Sequence, residues 1–477
     1  MDNQTPESSR EELKELLAMY QKLKTGRGSY LIEEEAFERL IDYFDDNDQL
    51  SQAIEAANRG IDQYPYSSLL LIKKADLMIA DRKYAEALEV LDRASVLDNT
   101  DTNLYVLKIE AFLALGMREQ AVTIFTEAQI AFNGKERIEF LFDVADVFDD
   151  YEETEEVFNC LKAILEQDAD NQEALYKICF WTDYLGKFEE SIELHKKLIE
   201  SHPYNYLAWF NLGTAFQGLK LYEKAIDAYL YSIAIDDKFD YAYRNLGDAY
   251  IRIKNYKEAI EALEKVLELS IPEDIIYEAL GYCYEKIKDY SQARSHYRKA
   301  VHLKQGDSQL YYRIGLTYMR EQNFKSAIPH IESALSIHPS NLEYSFALAG
   351  CYEMLGAFKP AIERYAQFVA QRPKSLKGWK ALIGCFYHYG HYADGVAQAE
   401  LAFKATGKPV FIYYKASGLL HSGKSKEGLV WLESALAIAP ASFKEFAALD
   451  PESLQRASVV KLANSYLSGK RKRNRKK

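Results

Sequence analysis

YLAWFNLGTAFQGLKLYEKAIDAYLYSI, residues 206–233, decides how this chain is read, because it returns thirty-four residues later as DYAYRNLGDAYIRIKNYKEAIEALEKVL, residues 240–267. Gly213, Gly247, Gly281 and Gly315 keep that spacing without a slip. An aromatic residue opens each first segment (Trp209, Tyr243, Tyr277, Tyr311). Leu or Ile precedes each glycine (Leu212, Leu246, Leu280, Ile314), and a second aromatic stands three beyond it (Phe216, Tyr250, Tyr284, Tyr318). That spacing marks one face of a helix. After a short turn come a small residue (Ala225, Ala259, Ala293, Ala327) and a bulky one four later (Tyr229, Leu263, Tyr297, Ile331). Several units then close on a proline (Pro203, Pro339, Pro373), as a second amphipathic helix and its stop would.

The glycine and alanine let two antiparallel helices approach closely while the large residues fill the space around them. No such unit buries its face alone, so units stack. These residues resemble the tetratricopeptide repeat (TPR). The resemblance implies an all-α fold, a right-handed TPR superhelix that is an α-solenoid of helix–turn–helix repeats. Upstream, the small residue of the second helix falls at Ala53, Ala87, Ala121, Val157 and Ser191; downstream, at Ala361, Gly395 and Gly428. This gives about twelve repeats over residues 34–440, with a gain of two residues near Asn133 to Lys135 and a loss of one near Gly423. Lys74 and Lys108 depart from the pattern, standing where leucine is usual. Residues 1–33 form an N-terminal tail and a leading helix at 10–25. Residues 441–468 read as capping helices broken at Asp450–Pro451, and 469–477, GKRKRNRKK, as a disordered basic tail.

The bulk numbers agree with such an array. The 477 residues are 48% hydrophobic, and 36 Tyr and 23 Phe stand against only 11 Pro, which suits packed helices with few long loops. A formal net charge of −13 argues against binding nucleic acid through the overall field. The start, MDNQTPESSREELKELL, lacks a basic region followed by an apolar core, and no apolar run is long enough to span a membrane, so a cytoplasmic address is expected. Cys160, Cys179, Cys283, Cys351 and Cys385 are odd in number and widely separated, a poor disulfide framework and a poor zinc set.

Three motifs invite a chemical reading. GLLHSGKS, Gly418 to Ser425, has the letters of a phosphate-binding loop, which works only where a strand runs into a helix N-terminus. Here it falls on the twelfth repeat, with Gly423 to Lys426 as the turn. His388, His391 and His421 lack a completing Cys or carboxylate, and the cysteines at the recurring repeat position alternate with Ala and Thr, which is a size constraint. No catalytic residue, metal site or cofactor is expected.

Binding is therefore sought on side chains that stacking does not use. The TPR resemblance assigns positions 2, 5, 6, 9, 12 and 13 of each repeat to a concave groove lined by the first helices. Repeats one and four place acidic residues there: Glu35, Asp42, Asp45 and Asp46, then Glu139, Asp143, Asp146, Asp149 and Asp150. Fourteen acidic and three basic groove residues fall in the first five repeats, against five acidic and eight basic (Arg244, Arg252, Lys286, Arg313, Arg320, Lys377, Lys380, Lys415) in the last seven. The acidic ladders lack the loop geometry of a calcium site. Asn211 and Asn245 share one groove position, flanked by Phe210, Arg244, Arg252, Tyr282, Tyr312, Arg313 and Arg320. These look like the start of the asparagine ladder in the peptide-binding TPR region of the O-linked N-acetylglucosamine transferases, without their catalytic region. The chaperone-binding clamp is not matched, since Ile275 and Ala279 occupy its cation positions.

The resulting expectation is a non-enzymatic scaffold or adaptor that binds an extended or helical segment of a protein or peptide partner in its groove, with Asn211 to Arg320 as the contact. It is expected to be a monomer or weakly self-associating, with no membrane contact. The alternative is an RNA- or ribosome-associated protein that uses the basic tail and the Arg-rich C-terminal groove. A self-assembling array, in which the oppositely charged groove halves meet in trans, also stays open.

Overall fold

The computed structural model describes residues 6–25 and 31–474. Every regular element among the described residues is helical. Twenty-four helices, from Glu34–Asp46 to Ser425–Ile438, alternate as first and second members of twelve successive pairs. Ser67, Asp101, Asn171, Asn205, Asp307, Asn341 and Ser375 each precede a first helix and accept a backbone N–H of its opening turn. They satisfy donors that a helix start leaves open.

The turn inside each pair carries one residue in the left-handed region: Asp48, Arg82, Gly116, Glu152, Gly186, Lys220, Lys254, Lys288, Gln322, Gly356, Gly390 and Gly423. Their spacing is thirty-four except for thirty-six before Glu152 and thirty-three before Gly423. The two register slips thus have structural counterparts. The gain appears as Gly134 at φ +58° opening a helix of 17 residues, Gly134–Asp150, and the loss as a 12-residue helix, Val410–His421.

Packing follows the size pattern of the repeat. A Cβ on Gly213 would lie 2.6 Å from the Tyr229 ring and one on Gly281 2.5 Å from the Tyr297 ring, so these glycines form the seats of the bulky residue on the paired helix. In the eleventh repeat the sizes exchange. Ile383 stands at the glycine position and Ala399 at the bulky one, both fully buried in one cluster, a swap that roughly conserves volume. Lys108 buries its stem and sends its ammonium out to Asp92 Oδ1 at 2.7 Å, which is how a lysine is accommodated at a leucine position.

The chain divides into two compact units, residues 1–249 and 250–477. In the first, the leading helix Pro6–Lys24 starts earlier than expected, and Tyr20 packs 5.7 Å from Phe44 of the first repeat. First helices of successive repeats touch one another: Glu34–Asp46 with Ser68–Ala80, Ser68–Ala80 with Thr102–Ala114, and Thr102–Ala114 with Gly134–Asp150. Among these repeats the second helices make no comparable contact with each other, so the first helices take the inner side of the stack. In the second unit the last repeat is capped by Phe443–Leu449 and Ala457–Asn474, with Phe446 and Val459 buried against Tyr413 and Leu432. The helix continues to Asn474, further into the basic segment than expected, because lysine and arginine are good helix formers. Residues 475–477 of that segment lie outside the described residues.

Candidate functional site

The inner helices of the first unit carry a file of carboxylates at one repeat position: Asp42, Asp76, Glu110 and Asp146. Glu35, Asp45, Asp46, Glu139, Asp143, Asp149 and Asp150 are exposed around them. Two lysines enter the file. Lys73 pairs with Asp42 and, at 3.5 Å, with Glu38; Lys177 pairs with Glu173 at 2.9 Å and Asp146 at 3.5 Å. No cation among the described residues lies within ion-pair distance of Asp45, Asp143, Asp149 or Asp150. The electrostatic consequence is visible along the file. Burial and the charges of Asp45 and Asp42 hold the Asp76 carboxyl above its ordinary range, with Lys73 opposing. Burial with Asp76 and Asp150 does the same to Glu110, and partial desolvation by the neighbouring helices, with Asp146 and Glu139, to Asp143.

Beside the acids lies a feature the sequence reading missed. Tyr176, Phe180 and Tyr184, one helical turn apart on Gln172–Leu185, are 50%, 61% and 66% exposed. Phe180 stacks on Tyr184 at 6.0 Å and 18°, and the edge of Trp181, itself buried, packs against both. They fall on groove positions 5, 9 and 13 of the fifth repeat. Lys177, between Tyr176 and Phe180, reaches across to Asp146 and lies 5.2 Å over the Phe142 ring, which joins the aromatic stripe to the acidic one.

The asparagine ladder is corrected by the structure. Asn211 is only 3% exposed, and its amide nitrogen donates to the Leu175 carbonyl oxygen at 2.8 Å and meets His195 Nε2 at 3.2 Å. An amide so engaged is a core group and does not face a groove. Phe210 is likewise buried, 5.8 Å from the Tyr229 ring and 5.0 Å from Phe239. Asn245 is half-buried with its amide 3.5 Å from the Tyr229 hydroxyl, and Arg244 lies 5.8 Å from the Tyr241 ring.

In the second unit, Arg252 and Arg320 are exposed, and Tyr282 sits between Lys286 at 4.8 Å and the Arg313 guanidinium at 5.5 Å. Tyr312 is half-buried, 4.5 Å from Tyr344. Four of the cations counted there as basic face carboxylates. Arg313 faces Glu278 at 3.6 Å and Glu285 at 3.9 Å, Lys377 pairs with Glu343 at 3.2 Å, Lys380 with Glu445, and Lys415 with Glu400 at 2.6 Å. The expected change of sign is therefore weakened in the second unit, where these four cations are salt-paired.

A cleft of about 490 Å³ opens in the second unit among Glu353, Lys380, His388, His421, Asp450 and Glu452. His388 Nδ1 meets Glu353 Oε1 at 3.1 Å and His421 Nε2 meets Asp450 Oδ1 at 2.9 Å, while Ser417 Oγ donates to Asp450 Oδ2. The serine thus serves the carboxylate rather than a histidine base, the wrong order for a nucleophile. His391 instead stacks 4.6 Å from Phe358. In GLLHSGKS, Gly418 lies inside the helix Val410–His421, so no strand leads into the turn. Burial pushes the thiols of Cys283 and Cys385 up to about 12 and those of Cys179 and Cys351 up to about 11; Cys160, fully buried, is raised as well. At those values they are packing groups and weak nucleophiles.

Residues 187–344 match the family model of the Tetratricopeptide repeat protein 21 C-terminal ARM domain, and residues 318–384 match the Tetratricopeptide repeat model. The chain is built of tetratricopeptide repeats. No curated protein sequence matches it. Among solved TPR structures, it is similar to the C-terminal part of a TPR repeat-containing protein from Cytophaga hutchinsonii, at 15% identity over 53% of this chain and 98% of that one with a TM-score of 0.44. It is also similar to the APC/C hetero-tetramer Cut9-Hcn1 (13% identity, 82% of this chain, 97% of that one, TM-score 0.32) and to MamA (26%, 34%, 95%, 0.32). No helix among the described residues is long and apolar enough to cross a membrane.

Proposed function

We propose that this TPR chain is a non-enzymatic scaffold or adaptor that holds an extended or helical segment of a partner protein on the inner face of its first helices. The observation that carries this reading is the exposed stripe Tyr176, Phe180 and Tyr184. Stacking uses the large residues of a repeat, yet these three rings are left in water on the face where a partner fits, and clustered exposed aromatics are the usual anchors of protein interfaces. The salt-paired cations of the second unit give no comparable support to an RNA-binding reading.

The test is site-specific photo-crosslinking from cell lysate. A benzophenone amino acid is placed at Phe180, on the inner face, or at Val96, which is 85% exposed on a second helix. A discrete partner polypeptide crosslinked at Phe180 and absent at Val96 is the expected result. Equal labelling at the two sites, or none at either, would count against the inner face.

A further inference from the structure

We propose that the inner face of the first five repeats receives a basic polypeptide segment bearing lysine or arginine at about every third residue, with its end lying over the Tyr176–Phe180–Tyr184 stripe. This rests on the reading of the inner face as the binding surface and adds the chemical class of the occupant.

The charge of the inner face selects a cation. Asp42, Asp76, Glu110 and Asp146 recur at one position of four successive inner helices, with Asp143, Asp149 and Asp150 beside the last. Such a surface repels phosphate backbones and acidic peptides and attracts cations. The protein's own lysine already shows the binding mode. Lys177 lies 5.2 Å over the Phe142 ring, 2.9 Å from Glu173 and 3.5 Å from Asp146, a cation held by one ring and two carboxylates. One turn further along the same helices, Phe180 and Tyr184 are the rings and Asp149, Asp150 and Asp183 the carboxylates, with the cation to be supplied from outside.

The spacing of the inner helices selects the placing of the cations along the segment. Helices in contact lie about 8–10 Å apart. A polypeptide in the polyproline II conformation advances about 3.1 Å per residue with three residues per turn, so its equivalent side chains repeat at about 9 Å on one face. A basic residue at every third position therefore meets one carboxylate per repeat, while a cluster of consecutive cations spreads its charges around all faces. Such a segment also has few conformations to lose on docking.

The experiment is fluorescence anisotropy of the full chain with a labelled peptide of Arg-Pro-Ser triplets. Its comparators are a peptide of the same composition with its arginines consecutive, and a peptide of Glu-Pro-Ser triplets. Saturable, salt-sensitive binding of the first peptide is expected, about tenfold tighter than the consecutive form and absent for the acidic form. Phe180→Ala/Tyr184→Ala and, separately, Asp76→Asn/Glu110→Gln are expected to weaken it about tenfold each, with circular dichroism confirming that the helices persist. Absence of binding by the triplet peptide, equal affinity for the consecutive form, or affinity unchanged in both variants would overturn the proposal. If Phe180 crosslinks a partner while the triplet peptide does not bind, only the basic-segment inference fails. If both are negative, the inner-face reading fails with it.

Discussion

His195 is fully buried, and its hydrogen bonds fix its tautomer. Nδ1–H donates to the Ser191 carbonyl oxygen at 2.7 Å, which leaves Nε2 to accept from Asn211 at 3.2 Å. Burial lowers the ring's pKa to about 4, against an ordinary value near 6.5. Between those values the unfolded chain binds the proton and the folded chain does not, so the contribution to stability is whole above about 6.5 and drains as the pH falls through the window. The loss is on the order of 3 kcal/mol. Urea unfolding midpoints at pH 7 and pH 5 should fall further for the wild-type chain than for His195→Gln, and parallel losses would contradict this. The same pair explains why Asn211 is misread from sequence. Helical spacing places it on the inner face, but its depth is set by the polar ring of the preceding repeat, His195, which periodicity does not report. The aromatic stripe escapes sequence reading for a different reason: Tyr176, Phe180 and Tyr184 lie on positions the TPR resemblance assigns to the groove, but rings at helical spacing look like the repeat's packing residues, and only their exposure separates them.

Within the repeat, the helices, their glycine seats and both register slips are legible because size and spacing recur across units. The turn chemistry is not, since Arg82, Glu152, Lys220, Lys254 and Lys288 hold the left-handed conformation that glycine adopts at the same turn of other repeats. A side chain there costs about 1–2 kcal/mol, partly offset by the greater freedom of glycine in the unfolded chain. Arg82→Gly and Lys220→Gly are each expected to stabilise by about 0.5–1 kcal/mol in denaturant titrations. The carboxylate file has the reverse economy. Asp76 is held above its ordinary range, so the folded state binds its proton more readily than the unfolded, and its contribution falls as the pH rises through the raised value. At neutral pH, Asp76→Asn should raise the melting temperature while weakening the basic peptide. A variant that loses stability would show that Lys73 dominates this carboxylate.

A stacked array fails from its ends, because a terminal repeat has one neighbour. The C-terminal cap is fastened by Asp450, which is buried and accepts from Ser417, His421 and the Ser453 backbone. Burial alone would raise its pKa, but the hydrogen bonds from Ser453, His421 and Ser417 outweigh it and hold the carboxyl below its ordinary range. That contribution is present above about 3.9, the unfolded value, and disappears as the pH falls through the lowered one. Asp450→Asn should speed hydrogen exchange of residues 443–467 at neutral pH, whereas exchange unchanged from wild type would place the fastening in Phe446 and Val459 alone. Arg82, Lys220, Lys254 and Lys288 are exposed basic residues at the same bend of four repeats, which makes each a substrate for trypsin where the backbone is least protected. Brief digestion should cut at Lys220, Lys254 and Lys288 before it cuts within a helix, so that fragment ends step by thirty-four residues. Lys220→Gly should erase one rung of that ladder while making the chain that carries it harder to unfold.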